Sequence, residues 1–239
     1  MTTIQLPTAN FADGIDLVDA NAYDFYRQIH KAIRYALFHT TLRAGSLDAA
    51  DTDAVDGFLE AQRSLLGLLH SHHHHEDLFI QPMLEEHAAG LARVIAGQHG
   101  DVEDGMACLA QRADRLGTVA RPGRAAAAHN LYLDLSRVTS AYLAHQLVEE
   151  TQVMPALRAV MPTEELVAVD LAIRGSLPPH EMAEVITYML PAMDVEERTE
   201  MLSGLAMAPP EIFAMFRAAA KAALPANQWA QLAQRVGIS

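Results

Sequence analysis

One pattern occurs twice in this chain and limits what it can fold into. His72-His-His-His-Glu76 is followed by Pro82 and Leu84, and His145-Gln-Leu-Val-Glu149 is followed by Pro155 and Leu157. Both segments read H-x-x-x-E-x-x-x-x-x-P-x-L, with an acidic residue, Asp77 or Glu150, directly after the glutamate. A lone histidine precedes each unit, His30 before the first and His99 before the second. Residues i and i+4 share one helix face about 6 Å apart. Each His-x-x-x-Glu pair therefore aims at one place, provided that its segment is helical.

The rest of the chain supports helix. Alternating β-branched runs and hairpin dipeptides are scarce, while Ala and Leu are plentiful, so the fold class is all-α. Four long helices are predicted, over about 19–43, 51–87, 89–116 and from the break at Arg121-Pro122-Gly123 to about 160. Short connections between long helices predict a four-helix bundle. Shorter helices follow Pro162, over 164–174, 180–190, 195–205, 210–224 and 227–236. The expected organisation is an N-terminal tail over 1–18, the bundle over 19–160 and a helical extension over 161–239.

Each long helix carries an apolar stripe: Tyr23, Tyr26, Ile33 and Leu37; Leu65, Leu69, Phe79 and Met83; Leu91, Ile95, Val102, Met106 and Leu109; Leu131, Leu135, Val138 and Tyr142. Polar residues interrupt each stripe where the next apolar one belongs. They are His30, then His72 with Glu76, then His99, then His145 with Glu149. Burying a carboxylate in a dry core costs several kcal/mol unless something compensates it. A shared dication does so, since it supplies positive charge and accepts lone pairs from all six groups. Two similar halves facing each other make a dinuclear site, each half giving terminal nitrogens and a bridging carboxylate. Mixed imidazole and carboxylate donors suit iron, with manganese or zinc as alternatives. The prolines are expected to kink or end the helices just beyond the site.

This pattern resembles the hemerythrin-like family, also called the HHE cation-binding domain, over roughly 19–160. The resemblance implies an up-down four-helix bundle around a pair of iron ions bridged by two carboxylates. It implies terminal-ligand roles for His30, His72, His99 and His145, and bridging roles for Glu76 and Glu149. One departure matters. Oxygen-carrying members have a His-x-x-x-His pair on the third helix, and here the residue four before His99 is Ile95, which cannot bind metal. One nitrogen is missing, to be replaced by water, a tyrosine or another side chain. More open coordination favours reaction with O₂, peroxide or NO over simple reversible carriage.

The remaining histidines carry weaker signals. Within the run His72–His75 the competing register pairs His73 with Asp77; otherwise His73, His74 and His75 are solvated or support the ligands from outside. His39 lies about 180° around the helix from His30 and is read as structural or surface. His70, His87, His129 and His180 are read as surface, Cys108 as a small core residue, and Tyr23, Tyr26 and Tyr142 as core lining.

Net charge is −13, from 17 basic and 30 acidic residues, which disfavours nucleic acid and anionic membrane as partners. No apolar run is long enough to span a bilayer, the first ten residues lack a signal-peptide pattern, and a single cysteine cannot form an internal disulfide. The expected setting is cytoplasmic. Three functions remain open: binding or sensing O₂, NO or peroxide at a diiron centre; enzymatic oxidation or peroxide or NO detoxification at the same centre; and iron storage or an iron-responsive module. In the last, the C-terminal helices would be the output. Those helices either pack on the bundle or form a homodimer surface.

Overall fold

Good helix formers fill the segments between Gly, Pro and Asp punctuation, and in the computed structural model each such segment is a helix. Residues 22–238 are described. Their helices are α1 (Tyr26–Gly45), α2 (Thr52–His75), α3 (Gln81–His87), α4 (Ala89–Thr118), α5 (Arg121–Val148), α6 (Met154–Val160), α7 (Thr163–Ser176), α8 (Pro179–Ala192), α9 (Val195–Leu205), α10 (Pro210–Ala223) and α11 (Ala226–Val236). A π-helical turn, Glu76–Ile80, joins α2 to α3, and a second, Glu149–Val153, joins α5 to α6. The fold is all-α. Four rods, α1, α2 with α3, α4, and α5 with α6, make a four-helix bundle, and α7 to α11 form a C-terminal helical extension. No described helix is long and apolar enough to cross a membrane.

Caps explain several boundaries. The Asp51 carboxylate accepts hydrogen bonds from the Asp53 and Ala54 amides at the start of α2. Pro122 sits in the first turn of α5, where a missing N–H leaves nothing unsatisfied. The triplet Arg121-Pro122-Gly123 thus begins a helix rather than separating two. The first three residues of the predicted first helix, 19–21, and the predicted tail lie outside the described residues.

The described residues fall into two compact units. The first comprises residues up to Tyr26 together with Leu37–Val169. In it α4 packs along α5 and α2, and α3 packs on α4 and α6. Leu65, Leu69, Val102, Met106, Leu109, Leu131, Leu135, Val138 and Tyr142 are buried, as their stripes predict. Phe79 and Met83 are not; their neighbours Ile80 and Leu84 are buried instead.

The second unit comprises Arg27–Ala36 of α1 and Asp170–Ser239. Its core gathers Ala32 with Ile186, Leu190, Leu202, Phe216, Ala220 and Leu232. Lys31 pairs with Glu197 at 2.6 Å. Arg198 donates to the Leu190 carbonyl at 2.6 Å and to Gln228 Oε1 at 2.8 Å, tying α9 to the end of α8 and to α11. Asp194 and Glu197 form a capping box that starts α9.

Candidate metal centre

Both repeats place their glutamate at the first residue of a π turn. The Gln81 amide donates to the Glu76 carbonyl, and the Met154 amide donates to the Glu149 carbonyl, each five residues back. The cause lies in the proline of each repeat. Pro82 and Pro155 have no N–H, and a proline ring clashes with the carbonyl four residues earlier in a regular helix. A turn widened by one residue relieves the clash, and such turns concentrate at functional sites. The prolines therefore do not end these helices; each sits in the first turn of the helix that resumes, α3 or α6.

Two sets of donor atoms converge. His73, Glu76, His99 and His145 each offer one atom within 4.8 Å of the others, and so do His30, His72, Glu76 and Glu149. Glu76 belongs to both sets, and all seven residues are buried. His72 Nε2 lies 3.1 Å from Glu76 Oε1, and His99 Nε2 lies 3.3 Å from Glu76 Oε2. Glu149 Oε1 is 3.3 Å from His145 Nε2 and 4.0 Å from His99 Nε2. The second glutamate thus reaches toward both sets.

These short distances are not hydrogen bonds. Both Glu76 oxygens and the Nε2 atoms of His73 and His99 are buried with no directed partner. Such atoms cost about 1–3 kcal/mol each, more when charged. They point at one another as ligands of a common ion do. The donor set, imidazole nitrogens and carboxylate oxygens in a closed core, fits a pair of divalent metals sharing carboxylate bridges.

The electrostatics of the metal-free chain tell the same story. Burial favours a neutral Glu76, but the facing His72, His99 and His145 outweigh it and hold the carboxyl well below the usual range. Glu149 goes the other way: burial, then the neighbouring Glu76 charge, push it well above the usual range. Burial acts to lower His99, yet Glu149, Glu76 and the hydrogen bond to Asp77 push it up to about 10. Two carboxylates meeting in a dry core cannot both ionise cheaply, and protons occupy the place that a cation would take.

The outer faces of three imidazoles are also held. His99 Nδ1 donates to Asp77 Oδ1 at 2.9 Å, His73 Nδ1 to Glu103 Oε1 at 3.3 Å, and His145 Nδ1 to Gln98 Oε1 at 3.0 Å. Carboxylate and amide oxygens accept only, so each Nδ1 carries a proton and Nε2 is the inward nitrogen, which offers a lone pair to a metal once His99 has shed its second proton. The His73 ring stacks on His99, centroids 4.6 Å apart, and on Tyr142 at 5.2 Å. The Tyr142 hydroxyl is buried with no hydrogen-bond partner, and burial, then Glu76 and Glu149, hold the phenol protonated.

The six residues singled out from the sequence, His30, His72, Glu76, His99, His145 and Glu149, all lie in these two sets. His73 joins them and was missed as a partner of Glu76. Its neighbour Asp77 points instead to His99. Ile95 is buried and lies in neither donor set, and the set that contains His99 and His145 draws its third imidazole from α2. Glu103, one turn beyond His99 on α4, was the available signal, because a buried imidazole needs an outer partner. His39, His70, His87, His129 and His180 are exposed.

Residues 21–157, more than half of the chain, match the hemerythrin HHE cation binding domain. No curated protein and no solved structure matches the chain. The chain belongs to the hemerythrin HHE cation binding domain family.

Proposed function

We propose that the chain holds two iron ions bridged by Glu76 and Glu149 and uses them to bind a small diatomic molecule or peroxide. His73, His99 and His145 serve one ion; His30 and His72 serve the other. The observation that carries this reading is the shared glutamate, since Glu76 lies in both donor sets. Five imidazoles and two carboxylates form a nitrogen-rich set, which favours iron over manganese, and shared bridges suit six-coordinate iron better than tetrahedral zinc. Such a pair supplies reversible one-electron redox chemistry at two adjacent metals.

The residues then divide the work. His73, His99 and His145 would hold one ion, and His30 and His72 would hold the other with fewer imidazoles, the two carboxylates being shared. Leu69, Ile95 and Met106, on the helices that carry His72 and His99, are buried, as are all seven donors. The Tyr142 hydroxyl, buried and protonated, is a hydrogen-bond donor held in the same core.

Metal analysis of protein made in iron-replete medium tests the reading, together with optical spectra on adding O₂, NO or peroxide to the reduced form. Two irons per chain and a reversible charge-transfer band support it. Well below two metals per chain, with His72→Ala leaving that content unchanged, refutes it.

A further inference from the structure

We infer that Asp77 and Glu103 are positioning residues for the three-histidine half of the centre, fixing His99 and His73 from outside and strengthening metal binding at that half through their negative charge. This rests on the metal-binding reading above.

The argument begins with exposure. Asp77 and Glu103 are 59% and 41% exposed at the side chain, whereas the imidazoles they hold are 6% and 3% exposed. Each carboxylate therefore anchors a buried ring from the wet side. Asp77 directly follows Glu76, and Glu103 lies one turn beyond His99, so each carboxylate sits on an element that also supplies a ligand. Glu103 is itself held: His70 Nδ1 lies 3.0 Å from Glu103 Oε2.

The third outer partner provides an internal contrast. His145 leans on Gln98, a neutral amide at 3.0 Å, in the place where the other two imidazoles meet charge. An imidazole that donates to a carboxylate is a more basic ligand than one that donates to an amide, and losing such a partner typically costs about 10–100-fold in metal affinity. The same charge favours the more oxidised ion.

Cobalt(II) titration of the metal-free full-length chain, followed by calorimetry and by the visible cobalt spectrum, tests this. Wild type shows two binding events. Asp77→Asn and Glu103→Gln keep an acceptor oxygen and remove the charge, and each is expected to weaken one event by about 10–100-fold while the other stays put. Gln98→Glu is expected to move the same event toward tighter binding, a reversal that a purely structural role does not produce. In iron-loaded protein the two charge-removing variants shift one midpoint potential upward. Equal weakening of both events, or Asn and Gln variants that match wild type, overturns the inference. Wild-type protein that takes up fewer than two metals refutes instead the function it rests on.

Discussion

Replacing His73 by leucine is expected to move stability in opposite directions with and without metal. In the metal-free chain His73 Nε2 is buried without a partner, and burial, the leading effect, lowers the pKa of its imidazole. The ring is neutral at pH 7 and carries the penalty of an unmade hydrogen bond, about 1–3 kcal/mol. Leucine removes that penalty and keeps apolar contact with Tyr142, at the expense of the Glu103 hydrogen bond, about 0.5–1.5 kcal/mol. The metal-free variant should therefore gain roughly 1 kcal/mol, or about 2–4 °C in Tm for a chain of this size. With metal the balance inverts. Metal at about 1,000 times Kd stabilises wild type by about 4.1 kcal/mol. Losing a direct ligand costs no less than the 100-fold that an outer partner can command. At the same metal concentration the variant then keeps only about 1.4 kcal/mol. Thermal unfolding by circular dichroism, in EDTA and with saturating iron(II) under anaerobic conditions, reads both effects. A variant that loses stability equally in both conditions shows His73 to be a packing residue and refutes the reasoning.

Glu76→Gln should abolish uptake of both metals, whereas His30→Ala should abolish one; elemental analysis separates the two outcomes. Metal uptake should release protons below about pH 10, because the raised His99 must shed its proton before Nε2 can ligate, and affinity should climb with pH up to that point; an indicator dye counts the protons. The pKa of Asp194 is lowered by the Glu197 and Glu196 amides, so its contribution to α9 is present above the ordinary carboxylate pKa and lost as acid protonates it. Asp194→Ala should therefore flatten the acid limb of the unfolding profile. Gly67→Ala meets nothing within 4 Å and should stabilise α2 by about 0.5–1 kcal/mol. Gly105→Ala puts a methyl 3.0 Å from Val138 Cγ2 and should lose that gain, as denaturant titration would show.

Much of this architecture is readable from spacing alone. The stripes hold from Ile95 to Leu109 on α4 and from Leu131 to Tyr142 on α5, because nothing disturbs a regular helix there; at the start of α4 Ala92 is buried in place of Leu91. On the second rod the stripe reads correctly as far as Glu76 and then fails by one position, at Ile80 for Phe79 and Leu84 for Met83. Helical periodicity assumes about 100° per residue, and the π turn adds a residue that this arithmetic omits. With the extra residue absorbed, Leu84 returns to the face of Glu76. The proline at a fixed offset from the glutamate in both repeats was the mark of that turn. Tyr23 was placed in a helix that begins at Tyr26, because the apolar pattern continues where the hydrogen-bond ladder does not. His73 was hidden for another reason. Neighbours on a helix diverge by about 100°, so adjacent ligands look incompatible. They become compatible when a shared carboxylate sits between two metals, one served by each.

The second turn of α1 has a wider consequence. His30 supplies a donor atom from that turn, and two residues later Ala32 is fully buried in a core made otherwise of residues from α8 to α11. The stretch matching the family ends at residue 157, before any of those helices begin. A portable version of the domain, cut where the family resemblance stops, would carry His30 on a helix stripped of its packing around Ala32 and of the Lys31–Glu197 pair. Heritable likeness and physical self-sufficiency part company here. The turn that carries His30 belongs to the same compact unit as the C-terminal helices, and grafting or truncation experiments on this chain should keep them.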